Sequence, residues 1–481
     1  VRGLASRPRE SPFALSEPDR ERLAARLELA VKRARRSGRQ TLATLALELP
    51  GEVDPSAVVC ASHGTDEPWF LFEQPERGRA ALATLGQACN LTASGADRFA
   101  TVADRWRALA AAAVSDPPDD PDSAGPVAVG GFAFASEGGA DPAWSGFEPA
   151  SLVVPEVALS RRRERVRLTL SALAAPDDTP QELLARLLGR VRELREAPLP
   201  LLDPQPTGRY RIASAMPPEH YEAAVARAVE LIRGGELEKV VLAREVQVHA
   251  PREHDAAALF GVLREAFPAC SVFCVGRGEA AFVAASPELL VRREGHRVST
   301  LALAGSMRRS ADPAVDDHLG EQLMHSAKDR EEHAIVIRRI ERTLRPHALW
   351  VTAPPEPTLV KVANIQHLAT PIRAQLAQPL DAIELLELMH PTPAVGGEPL
   401  AQAQPLIPAL EGLDRGWYAG PVGWADAAGD GEFCVALRCA LLRGRVARCY
   451  AGVGVVRDSE PAAELAETEV KLQALLPLLA G

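Results

Sequence analysis

Gly420-Pro-Val-Gly-Trp-Ala-Asp-Ala-Ala-Gly-Asp-Gly-Glu-Phe-Cys-Val-Ala-Leu-Arg-Cys-Ala-Leu-Leu442 places apolar and small residues on either side of an Asp430-Gly431 pair. Asp-Gly suits a tight turn that needs positive φ, so the stretch reads as a β-hairpin, with Val446 to Val456 as its next partner strand. Upstream, Glu288 to Arg293 and Arg297 to Leu303 read as a second hairpin turning at Glu294-Gly295, and Lys239 to His249 (KVVLAREVQVH) as a further strand. Between the strands lie helical patterns. Tyr221, Ala224, Val225, Ala228, Val229 and Ile232 recur at helical spacing and stop at Gly234-Gly235; Ser326 to Leu344 predicts a long helix and Pro461 to Leu479 an amphipathic one. Strands in hairpins with interspersed helices argue for an α+β fold with mainly antiparallel sheets.

Working outward, the stretch REAPLPLLDPQPTG at 195–208 is the best boundary in the chain. It divides a variable N-terminal part, 1–205, from a catalytic region, 206–481, of the same α/β unit. In the N-terminal part PSAVVCASH (55–63), Trp69-Phe70-Leu71-Phe72 and Gly130 to Phe134 read as short strands. Asp19 to Arg33 and Gly95 to Val114 read as helices, and Ser115 to Pro126 as a Pro/Asp-rich loop.

The 481 residues are 47% hydrophobic and 25% charged, an ordinary globular balance. Lys+Arg at 54 against Asp+Glu at 64 gives a net charge of −10, so the chain as a whole offers a polyanion such as nucleic acid no electrostatic attraction, and a small ligand is the expected partner. No run reaches the ~18 apolar residues of a membrane helix, and the opening residues lack the apolar segment of a secretory signal, so the expected location is the cytoplasm. The seven cysteines form no C-x-x-C pair and read as inert thiols.

Of the 54 basic residues only Lys32, Lys239, Lys328, Lys361 and Lys471 are lysines. Unlike arginine, a lysine can be brought to lose its proton and act as a base, so each retained lysine invites a functional question. On the last helix Glu464, Glu467 and Lys471 fall within about 60° of one face. A stripe of this kind is usually a solvated ion-pair face, but a hard cation would read its carboxylates as ligands. Glu331-Glu332-His333 by itself reads as a surface charge run. Gly305 and Ser306, in a small-residue turn that ends a strand, can offer donors to a carboxylate. His390-Pro-Thr-Pro-Ala-Val-Gly-Gly397 is a loop with an imidazole, and Tyr450-Ala-Gly-Val-Gly454 a glycine-spaced strand. Neither follows the strand-turn-helix pattern of a phosphate-binding loop.

Taken in order, KVVLAR at Lys239, SPELLVRREG at Glu288, LALAGS (301–306), KDREEH (328–333), HPTPAVGG (390–397), RGWYAGPVGW (415–424), VALR ending at Arg438, YAGVGVV and ELAETEVK (464–471) resemble the chorismate-utilising enzymes, most closely the isochorismate synthases. The resemblance covers roughly 205–481, with FLFEQPERG and GGFAF as weaker echoes before it. It implies that family's fold, antiparallel sheets packed face to face with helices outside. It also implies a Mg²⁺-dependent reaction in which water adds at C2 of chorismate and the C4 hydroxyl leaves. Lys239 matches the base that activates water, and Glu288 the acid that protonates the leaving hydroxyl. Glu332, Glu467 and the adjacent Glu464 match the metal ligands. Arg438, Tyr418, Lys471 and the backbone at Gly305, Ser306, Gly452 and Gly454 match positions that grip substrate carboxylates, and His390 an imidazole near the ring. Ser306 stands where many relatives carry threonine, which keeps the hydroxyl.

Single positions separate the branches of the resemblance. Anthranilate synthases carry glutamine at the place of Lys239, and aminodeoxychorismate synthases a lysine at that of Ala304. Both tend to a Gly-Ala-Pro-Lys ending where this chain has Gly396-Gly397-Glu398-Pro399. Gly86-Gln-Ala-Cys89 lacks the trailing glycine of an amidotransferase elbow, so no glutamine amidotransferase subunit is expected. Salicylate synthase, which goes on to eliminate pyruvate, and a catalytically silent chorismate-binding paralogue are the alternatives. Menaquinone, siderophore and salicylate routes all begin with isochorismate.

Overall fold

A computed structural model describes residues 11–115, 125–203, 207–362 and 364–480. Most of the Ser115–Pro126 loop and part of the 195–208 boundary lie outside them. Two large sheets dominate the fold. The first runs from Thr41–Leu49 through Arg165–Ala174, Val157–Arg162, Ala80–Leu85 and Trp69–Gln74. It continues through Ser271–Arg277, Ala280–Ser286, Cys439–Arg443 and Val446–Val455 to Lys239–His249, with short Gly397–Glu398 at the edge. The second runs from Ala348–Thr352 through Ile365–Leu376, Arg297–Arg308, Leu289–Glu294, Gly431–Val435, Pro421–Asp426, Val127–Phe132 and Ala150–Val154 to Cys89–Ala93. The ladders are antiparallel. Strands from before residue 205 are hydrogen-bonded to strands from after it in both sheets, Trp69–Gln74 to Ser271–Arg277 and Val127–Phe132 to Pro421–Asp426.

The first sheet is buried on both faces, and its side chains show why its strands read as continuous apolar runs. Phe70, Phe72, Phe273, Val275, Phe282 and Leu441 enter the large core that also takes in Val291, Ile372, Val422 and Phe433 of the second sheet. Their sequence neighbours Leu71, Cys274, Val283 and Leu442 enter an outer core with Leu23, Leu27, Leu187 and Leu263 from helices. The outer face of the second sheet is covered by helices, among them Ala327–Leu344, whose N-terminus is capped by Ser326 accepting from the Asp329 amide.

Four expectations are corrected. Pro55–Ser62 is a helix rather than a strand: Asp54 caps it by accepting from the Ser56 and Ala57 amides, Pro55 suits its first turn, and burial of Pro55 through Val59 left no amphipathic period to read. The last helix stops at Leu472, and a short one follows at Leu476–Ala480, because Pro477 cannot continue the hydrogen bonding of a straight helix. The Arg297 strand does not end in a turn at Ser306. It runs to Arg308 through a bulge at Gly305, whose φ of 75° favours glycine. Finally, 421–442 is not one continuous hairpin. Pro421–Asp426 pairs with Gly431–Val435 in the second sheet, the chain crosses at Ala436–Arg438, and Cys439–Arg443 pairs with Val446–Cys449 in the first. Arg438 turns that corner with φ of 49°, unusual for a residue with a side chain.

Candidate active site

The crossing at Arg438, the bulge at Gly305 and the start of the Leu289 strand open onto one cavity of about 620 Å³ of empty space, its mouth included. Its wall takes Glu288, Gly305 and Ser306 from the second-sheet side, Gly452 and Gly454 from Val446–Val455, Glu332 from the long helix, and Glu467 and Lys471 from Pro461–Leu472. Tyr418 and Arg438 close it. Side chains as far apart in the chain as Glu288 and Lys471 thus converge because two sheets and two helices meet there.

Lys239 is fully buried, and its Nζ lies 2.9 Å from Glu332 Oε1. Nζ nonetheless lacks an aligned hydrogen-bond partner. Gly454 makes this approach possible, since a Cβ there would collide with Glu332 Oε1 and Lys239 Cε. Glu467 is held similarly, by Lys471 Nζ at 2.8 Å and by the Ser306 hydroxyl, both on Oε1. Burial would raise the Glu467 carboxyl, but Lys471 and Ser306 hold it below the usual carboxylate range. Lys471 also donates to the Gly452 carbonyl at 2.9 Å.

Glu288 makes its hydrogen bonds through the main chain: its amide donates to Ser286 Oγ at 3.2 Å and its carbonyl accepts from the Val435 amide at 3.0 Å. Burial pushes its carboxyl up to about 8, against the opposing pull of Lys239, Arg438 and Lys471. A carboxylic acid that keeps its proton at neutral pH can donate it. Arg438 donates through Nη2 to His367 Nε2 at 2.9 Å, while its buried Nε has no partner. An unpartnered guanidinium N–H beside the cavity is a group that an oxygen-rich, anionic ligand would satisfy.

Three of the expected residues are off the cavity wall, and one of them, Lys239, lies behind the wall residues Glu332 and Gly454. Glu464 is not on the cavity wall; it pairs with Lys328 Nζ at 2.5 Å, behind Glu467. His390 is also off the wall. Its Nε2 donates to the Phe134 carbonyl at 2.9 Å, its ring packs against Phe99 and Phe134, and burial pushes its pKa down to about 3. The loop after it supplies Ala394 and Val395 to the wall instead. The cavity imidazole is His367, which the sequence reading missed. It sits inside the apolar Ile365–Leu376 strand, where no spacing signal marks it. Burial and the neighbouring Arg438 keep it neutral. Tyr450, stacked on Tyr418 at 5.1 Å, and Leu303 were also missed as wall residues.

The model of the chorismate binding enzyme family matches residues 29–480. This chain belongs to the chorismate-binding enzymes. Within that family it is 37% identical to the salicylate biosynthesis isochorismate synthase of Pseudomonas aeruginosa, over 94% of this chain and 93% of that one. It is 33% identical to the isochorismate synthase MenF of Bacillus subtilis, over 74% and 75%. Among solved structures, MenF, the menaquinone-specific isochorismate synthase from Escherichia coli, superposes with a TM-score of 0.77 at 27% identity, covering 94% of this chain and 99% of that one. The antiparallel α+β architecture is thus that of the chorismate-binding enzymes.

Proposed function

We propose that the chain is an isochorismate synthase, an isomerase that adds water at C2 of chorismate and expels the C4 hydroxyl as the ring double bonds shift. The observation that carries this reading is a buried amine, Lys239, set against the wall residue Glu332 of the same cavity that takes Glu288, whose carboxyl burial raises to about 8. Lys239 takes a proton from the attacking water, for which the amine must first be neutral. Glu288 gives its proton to the leaving hydroxyl, so that neutral water departs. Arg438 offers its unpartnered Nε to a substrate carboxylate, and Lys471 and Tyr418 border the same space.

Glu332 and Glu467 fit a Mg²⁺ ion as hard oxygen donors. Their lysine contacts fall on Oε1, leaving Oε2 of each as an acceptor. A Mg²⁺ held there would set positive charge against a substrate carboxylate and take over the Glu332 charge that Lys239 now neutralises. Glu464, bonded to Lys328, would support Glu467 from behind.

The test is chromatography of the products formed from chorismate by purified protein, with and without Mg²⁺ and without ammonia or glutamine. Isochorismate formed only with the metal is the expected result. Salicylate with pyruvate would make the chain a salicylate synthase, and no conversion would leave a chorismate-binding protein without turnover.

A further inference from the structure

Glu411 and Arg415 form a buried ion pair that the mechanism above does not use. Neither lines the cavity, yet the pair touches three of its walls from behind. Arg415 binds Glu411 through Nε at 3.0 Å and Nη2 at 2.5 Å, and both side chains are almost wholly inaccessible. The remaining guanidinium donors go to main chain: Nη1 to the Val395 carbonyl at 2.8 Å and Nη2 to the Val241 carbonyl at 2.9 Å. Glu411 in turn accepts from the Ala243 amide at 2.7 Å. The guanidinium lies 4.2 Å from the centre of the Phe134 ring and 5.7 Å from that of Tyr418. Val241, Val395 and Tyr418 are wall residues, and Val241 lies two positions from Lys239 on the same strand.

A buried ion pair is weak evidence for stability, because desolvating two charges offsets their attraction. What a planar fork with fixed donor directions does supply is geometry. Here the fork fixes the spacing between the strand that carries Lys239 and the loop that carries Val395. We propose that Glu411 and Arg415 are one positioning unit, holding the Lys239 strand in register with the wall opposite so that the amine meets the water that attacks the ring. The unit's hydrogen bonds go to backbone behind the wall, and of the groups assigned to substrate carboxylates it approaches the Tyr418 ring and neither Arg438 nor Lys471. Its loss should therefore lower kcat much more than it raises KM, since a misplacement of about 1 Å can cost on the order of 10²-fold in rate.

This inference rests on the isochorismate synthase reading, which the wild-type product assay tests on its own. Two variants then test the unit. Glu411→Leu with Arg415→Met removes both charges at similar volume, and Arg415→Lys keeps the charge while losing the fork. The expected result is cooperative folding in both, with kcat down about 30-fold or more in the double variant and about 10-fold in Arg415→Lys, and KM within about threefold of wild type. A folded double variant with wild-type kcat would overturn the proposal. So would a loss confined to KM, or failure of both variants to fold, which would make the pair structural.

Discussion

Glu288 and Glu432 are both buried at neighbouring strands of the second sheet, and they are treated in opposite ways. Glu432 accepts from Arg292 Nε at 2.6 Å and Nη2 at 2.8 Å, from Arg77 Nη1 at 2.8 Å, and from the Gln74 amide. Its lone pairs are taken, and it ties the second sheet to Trp69–Gln74 of the first. Glu288 faces a cavity with no such fork, and burial raises its carboxyl to about 8. The difference lies in partners, not in depth: Glu432 is given four donors, and Glu288, the proposed acid, has none on its carboxyl among the described residues.

The comparison can be broken at four places. Lys239→Ala should cost the most, about 10³-fold in turnover, while chorismate binding measured by titration calorimetry stays largely intact. Retained wild-type turnover would remove Lys239 as the base. Glu288→Gln should lower turnover about 10²-fold, and the wild-type rate should fall on the alkaline side as Glu288 loses its proton above about 8. Stability also falls with rising pH, over a window that begins lower. Because the folded-state pKa is raised, the native state holds the extra proton from the ordinary carboxylate range up to about 8, and stability drops as pH rises through that window. Glu288→Gln should therefore raise Tm at pH 8 by about 1–3 °C, which calorimetry would read as a gain at the expense of function. Glu467→Gln should raise the Mg²⁺ concentration for half-activity about tenfold or more, and an unchanged titration would take Glu467 off the ligand set. Glu432→Ala sharpens the contrast from the other side. It should destabilise by about 3 kcal/mol in denaturant unfolding, leaving Arg292 uncompensated while Arg77 keeps Glu294, with little change in turnover per folded molecule.

Much of this fold could be read before the structure, and the exceptions share a cause. Lys239–His249 begins and ends where its apolar run does, and the Glu294-Gly295 turn sits where the expected hairpin turns. Those signals are local. The crossing at Arg438 is not: VALRCALL is apolar before and after the corner, because both sheets bury it, so nothing in its hydrophobicity marks the change of sheet. Pro55–Ser62 failed for a related reason, being buried too thoroughly to show a helical period. At the site, the retained lysines proved informative. Three of the five, Lys239, Lys328 and Lys471, each face one of the three glutamates expected to serve the metal. The histidines did not separate by sequence. His390 stands in a conspicuous proline loop yet packs into the core, whereas His367 lies unmarked in a strand and reaches Arg438. Motif prominence follows the loop's shape, while access to the cavity depends on which strand passes beside it.

The most direct test of the central claim is the titration of Glu288 itself, read as the carboxyl ¹³C shift in glutamate-labelled protein and assigned by difference from Glu288→Gln. The expected midpoint is about 8. A midpoint in the ordinary glutamate range, about 4.3, would mean that Glu288 is ionised at neutral pH and cannot be the acid.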